Sequence, residues 1–305
     1  MPSFEELKVN KSFLKALTES GITEPTEIQA MAIPVVRSGA DVIGVAQTGT
    51  GKTLAYLLPL LMKLKCAQGD MPRAIILVPT RELVLQVKDT IDFVTLYSDL
   101  RSVALYGGVG ISKQVDEIKA LKGVDLLIST PGRLKDVYST GVVNYKMVKT
   151  MVFDEADRIL DMGFVPQIRA LLEIIQTKRQ NLLFSATFSE KLKGMAAEFL
   201  TFPERVEVSP SATPAVMVDQ FLYAVPNLRT KLHFLEHLFD NPEFEKVLVF
   251  CRTKENADSV TNYLDRKSVL GEIRTIHSNK GQTSRINAIN SFKRGDTRIL
   301  ISTDV

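Results

Sequence analysis

The sequence predicts an α/β protein of two domains, each a parallel sheet with helices on both faces. Short apolar segments of strand length alternate with longer segments in which apolar residues recur at helical spacing, the pattern of parallel strands connected by helices. Residues 209–220, SPSATPAVMVDQ, interrupt this alternation with two prolines, several small residues and a single charge, a composition typical of a linker. The alternation then resumes, so we expect one domain at 1–208 and another at 221–305.

The expected strands and helices follow one another in a regular order. The strands of the first domain are expected at Val42–Val45, Ala74–Val78, Ser102–Leu105, Asp125–Ile128, Thr150–Phe153, Leu182–Phe184 and Arg205–Val208, with helical patterns between them such as Ser112–Lys122 and Ser189–Phe199. The second domain is expected to contain the helix Leu228–Phe239, the strand Val247–Phe250, the helix Lys254–Arg266, the strand Glu272–Ile276, the helix Thr283–Lys293 and the strand Arg298–Ile301. Each strand is short and apolar, whereas each helix is longer and amphipathic.

Composition and charge point away from a membrane protein and from a generally basic one. The longest apolar stretch, Leu54–Leu64, is interrupted by a proline and a lysine and is too short to span a bilayer. A net charge of +3 is too small to indicate nucleic-acid binding, so any such surface must be local. The two cysteines, Cys66 and Cys251, lie far apart with no CxxC pair, which favours a reduced compartment. We therefore predict a cytoplasmic protein.

The segment AQTGTGKT, residues 46–53, predicts a phosphate-binding loop. It follows the strand Val42–Val45 and fits the pattern G-x-x-x-x-G-K-[ST] except for Ala46 in the first position. Gly49 and Gly51 allow backbone N–H groups to turn inward around an anion at a helix N-terminus. A glycine-rich turn without function is the alternative, and the strand–loop–helix context argues against it.

The side chains of this loop have expected roles in binding a nucleotide. Lys52 would reach the β- and γ-phosphates, and the Thr53 hydroxyl would bind Mg²⁺. The residues expected to surround the nucleotide phosphates are Ala46, Gln47, Thr48, Gly49, Thr50, Gly51, Lys52 and Thr53.

A carboxylate pair further along the chain predicts the metal and the general base. In TMVFDEAD, residues 150–157, an apolar strand brings Asp154 to the carboxyl edge of the sheet, where doubly wound folds bind ligands. Asp154 would hold Mg²⁺ through water, and Glu155 would orient and deprotonate the attacking water. The pair alone could equally cap a helix. Together with the phosphate loop it predicts hydrolysis of a nucleoside triphosphate.

The tetrad DEAD at 154–157 resembles the signature of the DEAD-box ATP-dependent RNA helicases, in their bacterial form, and the resemblance extends over nearly the whole chain. Further segments that follow the family's order are GITEPTEIQ at 21–29, the phosphate loop, PTREL at 79–83, GG at 107–108, TPGR at 130–133, SAT at 185–187, VLVFCRT at 247–253, QTSR at 282–285 and STDV at 302–305. Any one of these segments would be weak evidence. The resemblance rests on their occurring together in the family's order.

The resemblance implies two tandem RecA-like P-loop domains that use ATP and Mg²⁺. The Gln29 amide would read the N6 and N7 edge of adenine, because it offers both a donor and an acceptor, and Phe4 would stack on the ring. Asp304 lies in the segment that would touch the ATP ribose. Ser185 and Thr187, with Asp157, would couple hydrolysis to strand separation, although a serine and a threonine at that place could also cap a helix.

RNA is the partner that the resemblance implies. The residues expected to contact it are Thr80, Arg81, Gly108, Thr130, Arg133, Gln282, Arg285 and Thr303. Hydroxyl, guanidinium and N–H groups just past strands or at helix starts grip phosphates without reading bases, and the 2′-OH would distinguish RNA from DNA. A helix cap or a surface charge remains the alternative for any single one of them.

A second motif points to a different class of protein. His233, Glu236 and His237 spell H-x-x-E-H, the inverted zinc-protease motif, which places both histidines on one helical face. No third ligand is evident in the sequence, so we interpret Leu228–Phe239 as a packing helix. For His277 we expect a surface or RNA-facing position.

The end of the chain leaves two classes of function open. The chain stops inside STDV, and the paired arginines that reach the γ-phosphate in this family would follow it, so we expect a fragment with an incomplete second domain. The first reading is an RNA-stimulated ATPase and helicase. The second is a non-catalytic module that binds ATP or RNA, and a DNA translocase is a weaker third reading.

Overall fold

The computed structural model describes residues 1–175, 178–208, 219–241, 243–266 and 271–303, with the backbone alone at residue 282. The predicted linker therefore lies almost entirely outside the described residues. The chain divides into two compact units, Met1–Val218 and Asp219–Val305. Both contain parallel sheets with helices between the strands, which confirms the predicted α/β class.

The first unit contains a seven-stranded sheet and nine helices among its described residues. In chain order the strands are β1 (Val42–Val45), β2 (Ala74–Leu77), β3 (Ser102–Leu105), β4 (Leu126–Ser129), β5 (Thr150–Phe153), β6 (Gln180–Ser185) and β7 (Glu204–Glu207). The helices are α1 (Lys11–Glu19), α2 (Glu27–Ser38), α3 (Lys52–Leu64), α4 (Arg81–Val94), α5 (Ile111–Ala120), α6 (Pro131–Ser139), α7 (Ala156–Asp161), α8 (Val165–Ile174) and α9 (Glu190–Phe199). The strands lie in the order β3-β4-β2-β5-β6-β1-β7, and each pair is parallel.

Helices cover both faces of this sheet, which explains why its central strands are continuously apolar. Val42 and Ile76 pack into one core with helices α1–α4, whereas Ile43 and Ile75 pack into the other with α5–α9. Successive residues of a strand point to opposite faces, so a strand buried on both sides needs an apolar residue at every position. The sheet thus aligns the carboxyl ends of its strands along one edge, where the candidate site lies.

An ion cluster closes the opposite edge of the sheet. Asp125, directly before β4, has no exposed surface and accepts hydrogen bonds from Arg73 Nη2 at 2.8 Å and Arg101 Nε at 3.0 Å. The backbone N–H groups of Gln68 and Arg101 also donate to it, each at 3.0 Å. Burial alone would raise the pKa of Asp125, but the hydrogen bonds outweigh burial and hold the pKa below its usual value. The cluster ties together the amino ends of β2, β3 and β4.

The second unit has a three-stranded sheet within its described residues. Its elements are α10 (Leu228–Phe239), β8 (Val247–Cys251), α11 (Lys254–Asp265), β9 (Ile273–Ile276), α12 (Gln282–Arg294) and β10 (Ile299–Thr303). The strand order is β8-β10-β9, all parallel. Ile299 and Ile301 pack against α10 and α11, and Leu300 packs against α12 on the other face.

The histidines of this unit have structural surroundings. His277 is only 1% exposed, so the expected surface position is wrong. Its Nδ1 accepts from the Asn279 N–H at 3.3 Å, which leaves Nε2 to donate to Asp258 at 3.0 Å. In α10, Glu236 accepts a hydrogen bond from Tyr263 at 2.7 Å, and the His233 ring stacks on that tyrosine.

The described residues contain neither a cluster of potential metal ligands nor a helix suited to cross a membrane. No group of three or more potential metal ligands of the His, Cys, Asp or Glu type comes together in them. None of the helices in the same ranges is both long enough and apolar enough to cross a membrane.

Candidate active site

The phosphate loop joins the end of β1 to the start of α3. Gly49 and Gly51 have φ angles of +85° and +90°, a conformation that favours glycine. A β-carbon on Gly51 would also lie 2.4 Å from the Gln29 Nε2. Both glycines are therefore required for this loop to reach the first turn of α3, where free N–H groups and the helix dipole favour an anion.

Lys52 is folded back onto its own loop. Its side chain is buried, and Nζ donates to the Ala46 carbonyl at 2.5 Å. Burial lowers the pKa of Lys52, and the nearby carboxylates of Asp154, Asp157 and Glu155 counteract part of that effect. Binding a phosphate would exchange the Ala46 carbonyl for a charged acceptor.

The Gln29 amide connects the start of α2 to the phosphate loop. Its Oε1 accepts from the Thr26 N–H at 3.1 Å, as part of a capping box, and its Nε2 donates to the Gly51 carbonyl at 3.0 Å. Gln29 and Phe4 are each only 2% exposed, and Phe4 belongs to the apolar core. Neither side chain presents a surface to a base in this structure, so adenine contact by this pair stays a prediction that requires both to become exposed.

Asp154 lies at the carboxyl end of β5, where the sequence predicts it, and is 6% exposed. Its Oδ2 accepts from the Tyr56 hydroxyl at 2.7 Å and its Oδ1 from the Glu155 N–H at 2.9 Å. Burial raises the pKa of Asp154 to about 6, against the opposing effect of the Tyr56 and Glu155 hydrogen bonds. A nearby cation would offset the cost of burying this charge.

Glu155 adopts the left-handed backbone conformation, with φ +49° and ψ +51°, immediately before α7. This conformation is unfavourable for a residue other than glycine, and such strain is concentrated at functional sites. The carboxylate accepts a hydrogen bond from Arg158 Nη1 at 3.0 Å and is partly exposed. The side chain is thus held near the sheet edge yet open to solvent.

The three residues predicted to couple hydrolysis to strand separation contact one another. Asp157 Oδ2 accepts from the N–H of Thr187 at 3.0 Å and from its hydroxyl at 2.9 Å. The Asp157 N–H donates to the Ser185 hydroxyl at 3.3 Å. The DEAD tetrad and the SAT segment therefore form one hydrogen-bonded group across β5 and β6.

Three of the predicted RNA contacts of the first unit, Arg81, Gly108 and Arg133, meet at the loop after β3. The Arg81 guanidinium lies over the Tyr106 ring at 4.5 Å and donates to the Gly107 carbonyl at 3.4 Å. Gly108 has φ +83°, and a β-carbon there would lie 2.9 Å from Arg81 Nη1. Arg133 Nη2 donates to the Val109 carbonyl of the same loop at 2.9 Å.

Thr80 and Thr130 are the N-cap residues of α4 and α6. The Thr80 hydroxyl accepts from the Leu83 N–H at 3.3 Å. It therefore serves as a helix cap in this structure, which is the alternative to an RNA contact. Thr130 makes no side-chain cap hydrogen bond. Its hydroxyl thus has no capping role that would compete with a ligand.

The predicted residues of the second unit are described in part. Arg285 lies in α12 and Thr303 ends β10. The side chain of Gln282 and the whole of Asp304 lie outside the described residues.

Two side chains that the sequence motifs did not indicate make hydrogen bonds to predicted site residues. Tyr56 donates to Asp154 from the interior of α3. Gln114, 4% exposed, accepts from Arg133 Nη1 at 2.8 Å and donates to the Tyr106 carbonyl at 3.3 Å. The i,i+4 spacing of Lys52 and Tyr56 is the one sequence signal that could have indicated the first of them, because such residues share a helix face.

The residues present fit a magnesium ion. Mg²⁺ prefers hard oxygen ligands and keeps several waters. The chain offers the buried Asp154 carboxylate, and the Thr53 hydroxyl lies in the first turn of α3 beside the loop. The Lys52 ammonium group is close enough to interact electrostatically with Asp154.

Comparisons with known proteins agree with the sequence motifs. The family model described as DEAD/DEAH box helicase matches residues 26–195, and the helicase conserved C-terminal domain matches residues 230–305. A probable ATP-dependent RNA helicase, ddx41, of Dictyostelium discoideum is 37% identical over 99% of this chain and 46% of its own length. The DEAD-box ATP-dependent RNA helicase RhpA of Helicobacter pylori is 36% identical over the whole chain and 60% of its own length.

A solved structure supports the fold. The Dbp5 protein of S. cerevisiae, bound to RNA and ADP BeF3, superposes with a TM-score of 0.85 at 24% identity, over 99% of this chain and 76% of that one. This chain spans between 46% and 60% of the length of these two curated relatives. The family models cover most of the chain, and the motif residues of the first unit lie at one edge of its sheet, so the chain belongs to the DEAD-box helicase family.

Proposed function

We propose that this chain is the ATP- and RNA-binding core of an RNA-stimulated ATPase that unwinds or remodels RNA duplexes locally. The observation that carries the proposal is that the phosphate loop, Asp154 and Glu155 all lie at the same edge of the first unit's sheet, where its strands end. Residues 1–208 would form the ATP-binding domain, 209–220 the linker and 221–305 the second RecA-like domain. We also propose a cytoplasmic location, because Cys66 and Cys251 are both free thiols.

The proposed reaction is attack of water on the γ-phosphorus of ATP. Lys52 would leave the Ala46 carbonyl and bind the β- and γ-phosphates. Thr53 and Asp154 would hold Mg²⁺, largely through water, and the ion would neutralise phosphate charge. Glu155 would accept a proton from the water as its oxygen bonds to phosphorus and the bond to the bridging oxygen breaks, which yields ADP and phosphate.

RNA would bind through its backbone and without sequence preference. Arg81 and Arg133 both donate to carbonyls of the same glycine-containing loop, so two guanidinium groups lie at one place on the first unit. Such groups position phosphates and carry no base information. We propose the same role for Thr80, Gly108 and Thr130, and for Gln282, Arg285 and Thr303 in the second domain. Asp304 would contact the ATP ribose, and Asp157, Ser185 and Thr187 would link the ATP site to the second domain.

The test is steady-state phosphate release with ATP alone, with single-stranded RNA and with single-stranded DNA of the same sequence. Stimulation by RNA well above that by DNA supports the proposal. Equal stimulation by both would favour a DNA translocase. Binding of ATP and RNA without turnover under any of these conditions would favour a non-catalytic binding module.

Replacing Gln29 by alanine is expected to weaken ATP binding and to reduce the preference for ATP over GTP. The change removes the hydrogen bond from Gln29 to the Gly51 carbonyl and the proposed base contact. Together these are worth roughly 1–3 kcal/mol, or about 5- to 150-fold in affinity. Equilibrium titration with both nucleotides separates the two effects. Loss of the hydrogen bond to Gly51 weakens the binding of both nucleotides equally, whereas loss of the base contact weakens the binding of ATP more than that of GTP. Equal weakening would exclude Gln29 from base recognition.

Replacing Lys52 by alanine is expected to weaken binding of Mg-ATP about 10- to 150-fold, because a charge-assisted contact to phosphate is worth about 1.5–3 kcal/mol. Lys63→Ala is the matched control. It removes a lysine from the last turn of the same helix, where Nζ donates to Gln180 at 3.1 Å. The same titration should show near-normal affinity for the control. Similar loss in both variants would mean that the effect comes from α3 as a whole.

A further inference from the structure

The Tyr56 hydroxyl has a polar partner in an apolar part of the molecule. Tyr56 is fully buried on α3, among leucines such as Leu57, Leu60 and Leu61. Its ring packs against Phe184 with centroids 5.2 Å apart. A phenylalanine would fill the same volume and make the same ring contact, so packing alone does not explain the hydroxyl. A buried hydroxyl requires a hydrogen-bond partner, and here the partner is Asp154 Oδ2 at 2.7 Å.

Two donors fix the orientation of the Asp154 carboxylate. Tyr56 holds Oδ2, and the Glu155 N–H holds Oδ1 at 2.9 Å. Asp154 is only 6% exposed, so solvent has little access to replace either donor. With both oxygens held, the carboxylate cannot rotate freely, and its remaining lone pairs point in set directions.

Tyr56 shares a helix face with two residues of the phosphate loop. Thr53 is three residues and Lys52 four residues before Tyr56, so all three share one face of α3. Tyr56 therefore donates to one proposed Mg²⁺ ligand, Asp154, from the same helix face that carries the other, Thr53.

We propose that Tyr56 is a positioning residue of the ATP site, whose hydroxyl holds the Asp154 carboxylate in the orientation that receives the magnesium–nucleotide complex. The proposal rests on the proposed function, because it assigns Asp154 to Mg²⁺. Partners of this kind, one bond removed from the metal, typically change metal affinity by about 10- to 100-fold when they are lost.

The test compares Tyr56→Phe with Tyr145→Phe. Tyr145 is 1% exposed and its hydroxyl donates to the Leu134 carbonyl at 2.8 Å, so each variant removes one buried hydrogen bond and keeps the ring. Binding of a fluorescent ADP analogue is titrated with Mg²⁺ and repeated in EDTA. Tyr56→Phe should raise the Mg²⁺ concentration for half-maximal binding about tenfold and leave binding in EDTA unchanged. Tyr145→Phe should change neither.

A second comparison distinguishes a direct effect on Mg²⁺ binding from a general loss of stability. Melting temperatures of the two variants should fall by similar small amounts, since each loses one hydrogen bond. In an Asp154→Asn background, Tyr56→Phe should cause no further change in Mg²⁺ dependence, because coupled residues give non-additive effects. Additive effects, or a Mg²⁺ shift equal to that of Tyr145→Phe, would overturn the positioning role. Nucleotide binding by the unaltered chain that ignores Mg²⁺ would overturn the proposed function itself.

Discussion

Glu155→Gln is expected to lower ATP turnover by about 10²- to 10⁴-fold, the usual contribution of a general base, while Mg-ATP still binds. The amide cannot take a proton from water, so the chemical step loses its base. Lys52, Thr53 and Asp154, the groups proposed to bind the nucleotide and metal, are unchanged. A variant that binds normally and does not turn over would therefore assign Glu155 to the chemical step.

The surroundings of Glu155 make this substitution structurally mild. Its backbone is already left-handed, and glutamine tolerates that conformation no worse than glutamate does. The carbonyl oxygen of the amide can still accept from Arg158, which donates at 3.0 Å. The variant thus changes proton affinity and leaves the geometry of the α7 start in place.

Phosphate release and equilibrium binding of Mg-ATP are measured on the same preparations, with and without single-stranded RNA. Glu190→Gln is the matched control, because Glu190 also begins a helix and pairs with a cation three residues on, Lys193. The control should turn over normally. Turnover of Glu155→Gln within a fewfold of the unaltered chain would show that another group activates the water.

The positions of the strands along the chain could be predicted from the sequence because each central strand is buried on both faces. Such strands must be continuously apolar, as in Ala74–Leu77, where all four residues are buried. The phosphate loop was accessible for a related reason. Positive φ at Gly49 and Gly51 requires glycine, so local backbone geometry is written directly in the residue types.

Contacts between distant residues could not be derived in this way. The Tyr56 hydroxyl meets Asp154 across 98 positions of sequence, and Gln29 meets Gly51 across 22. A motif indicates which residues share a task, but the direction in which a side chain points depends on packing. Phe4 illustrates this limit, because the resemblance implied that its ring stacks on adenine and the structure places it in the core.

His277 shows the same limit in the second unit. Because it ends a strand near Gln282 and Arg285, it was expected at the surface or facing RNA. Its burial depends on Asp258 and Asn279, which satisfy both ring nitrogens. A buried histidine of this kind is stable only when both nitrogens are paired, and the two partners lie on different sides of it in the sequence.

Asp125→Ala is expected to destabilise the first unit by about 3–5 kcal/mol, the cost of removing one partner from a buried ion cluster. The change leaves the guanidinium groups of Arg73 and Arg101 without their anion, with side-chain exposures of only 15% and 20%. It also removes the acceptor of two backbone N–H groups. For a unit of roughly 200 residues, this corresponds to a fall in melting temperature of about 6–20 °C.

The pH dependence of this effect has a defined sign. An aspartate in an unfolded chain titrates near pH 3.9, and the pKa of Asp125 in the folded chain is lower. Its stabilising contribution is therefore complete above about pH 4–5 and is lost as pH falls through the folded pKa. Asp125→Asn should thus be less stable than the unaltered chain at neutral pH, and the difference should shrink only in acid.

Thermal or urea unfolding between pH 3 and pH 7 measures both effects, with Asp92→Ala as the control. Asp92 is paired with Lys88 at 2.5 Å on the exposed face of α4, and an exposed pair of this kind contributes about 0–1 kcal/mol. Because Asp125 lies at the sheet edge opposite the phosphate loop, nucleotide affinity below the melting transition should be unchanged in both variants. Equal stability of the Asp125 and Asp92 variants would show that the two arginines find other acceptors, and that the cluster does not hold β2, β3 and β4 together.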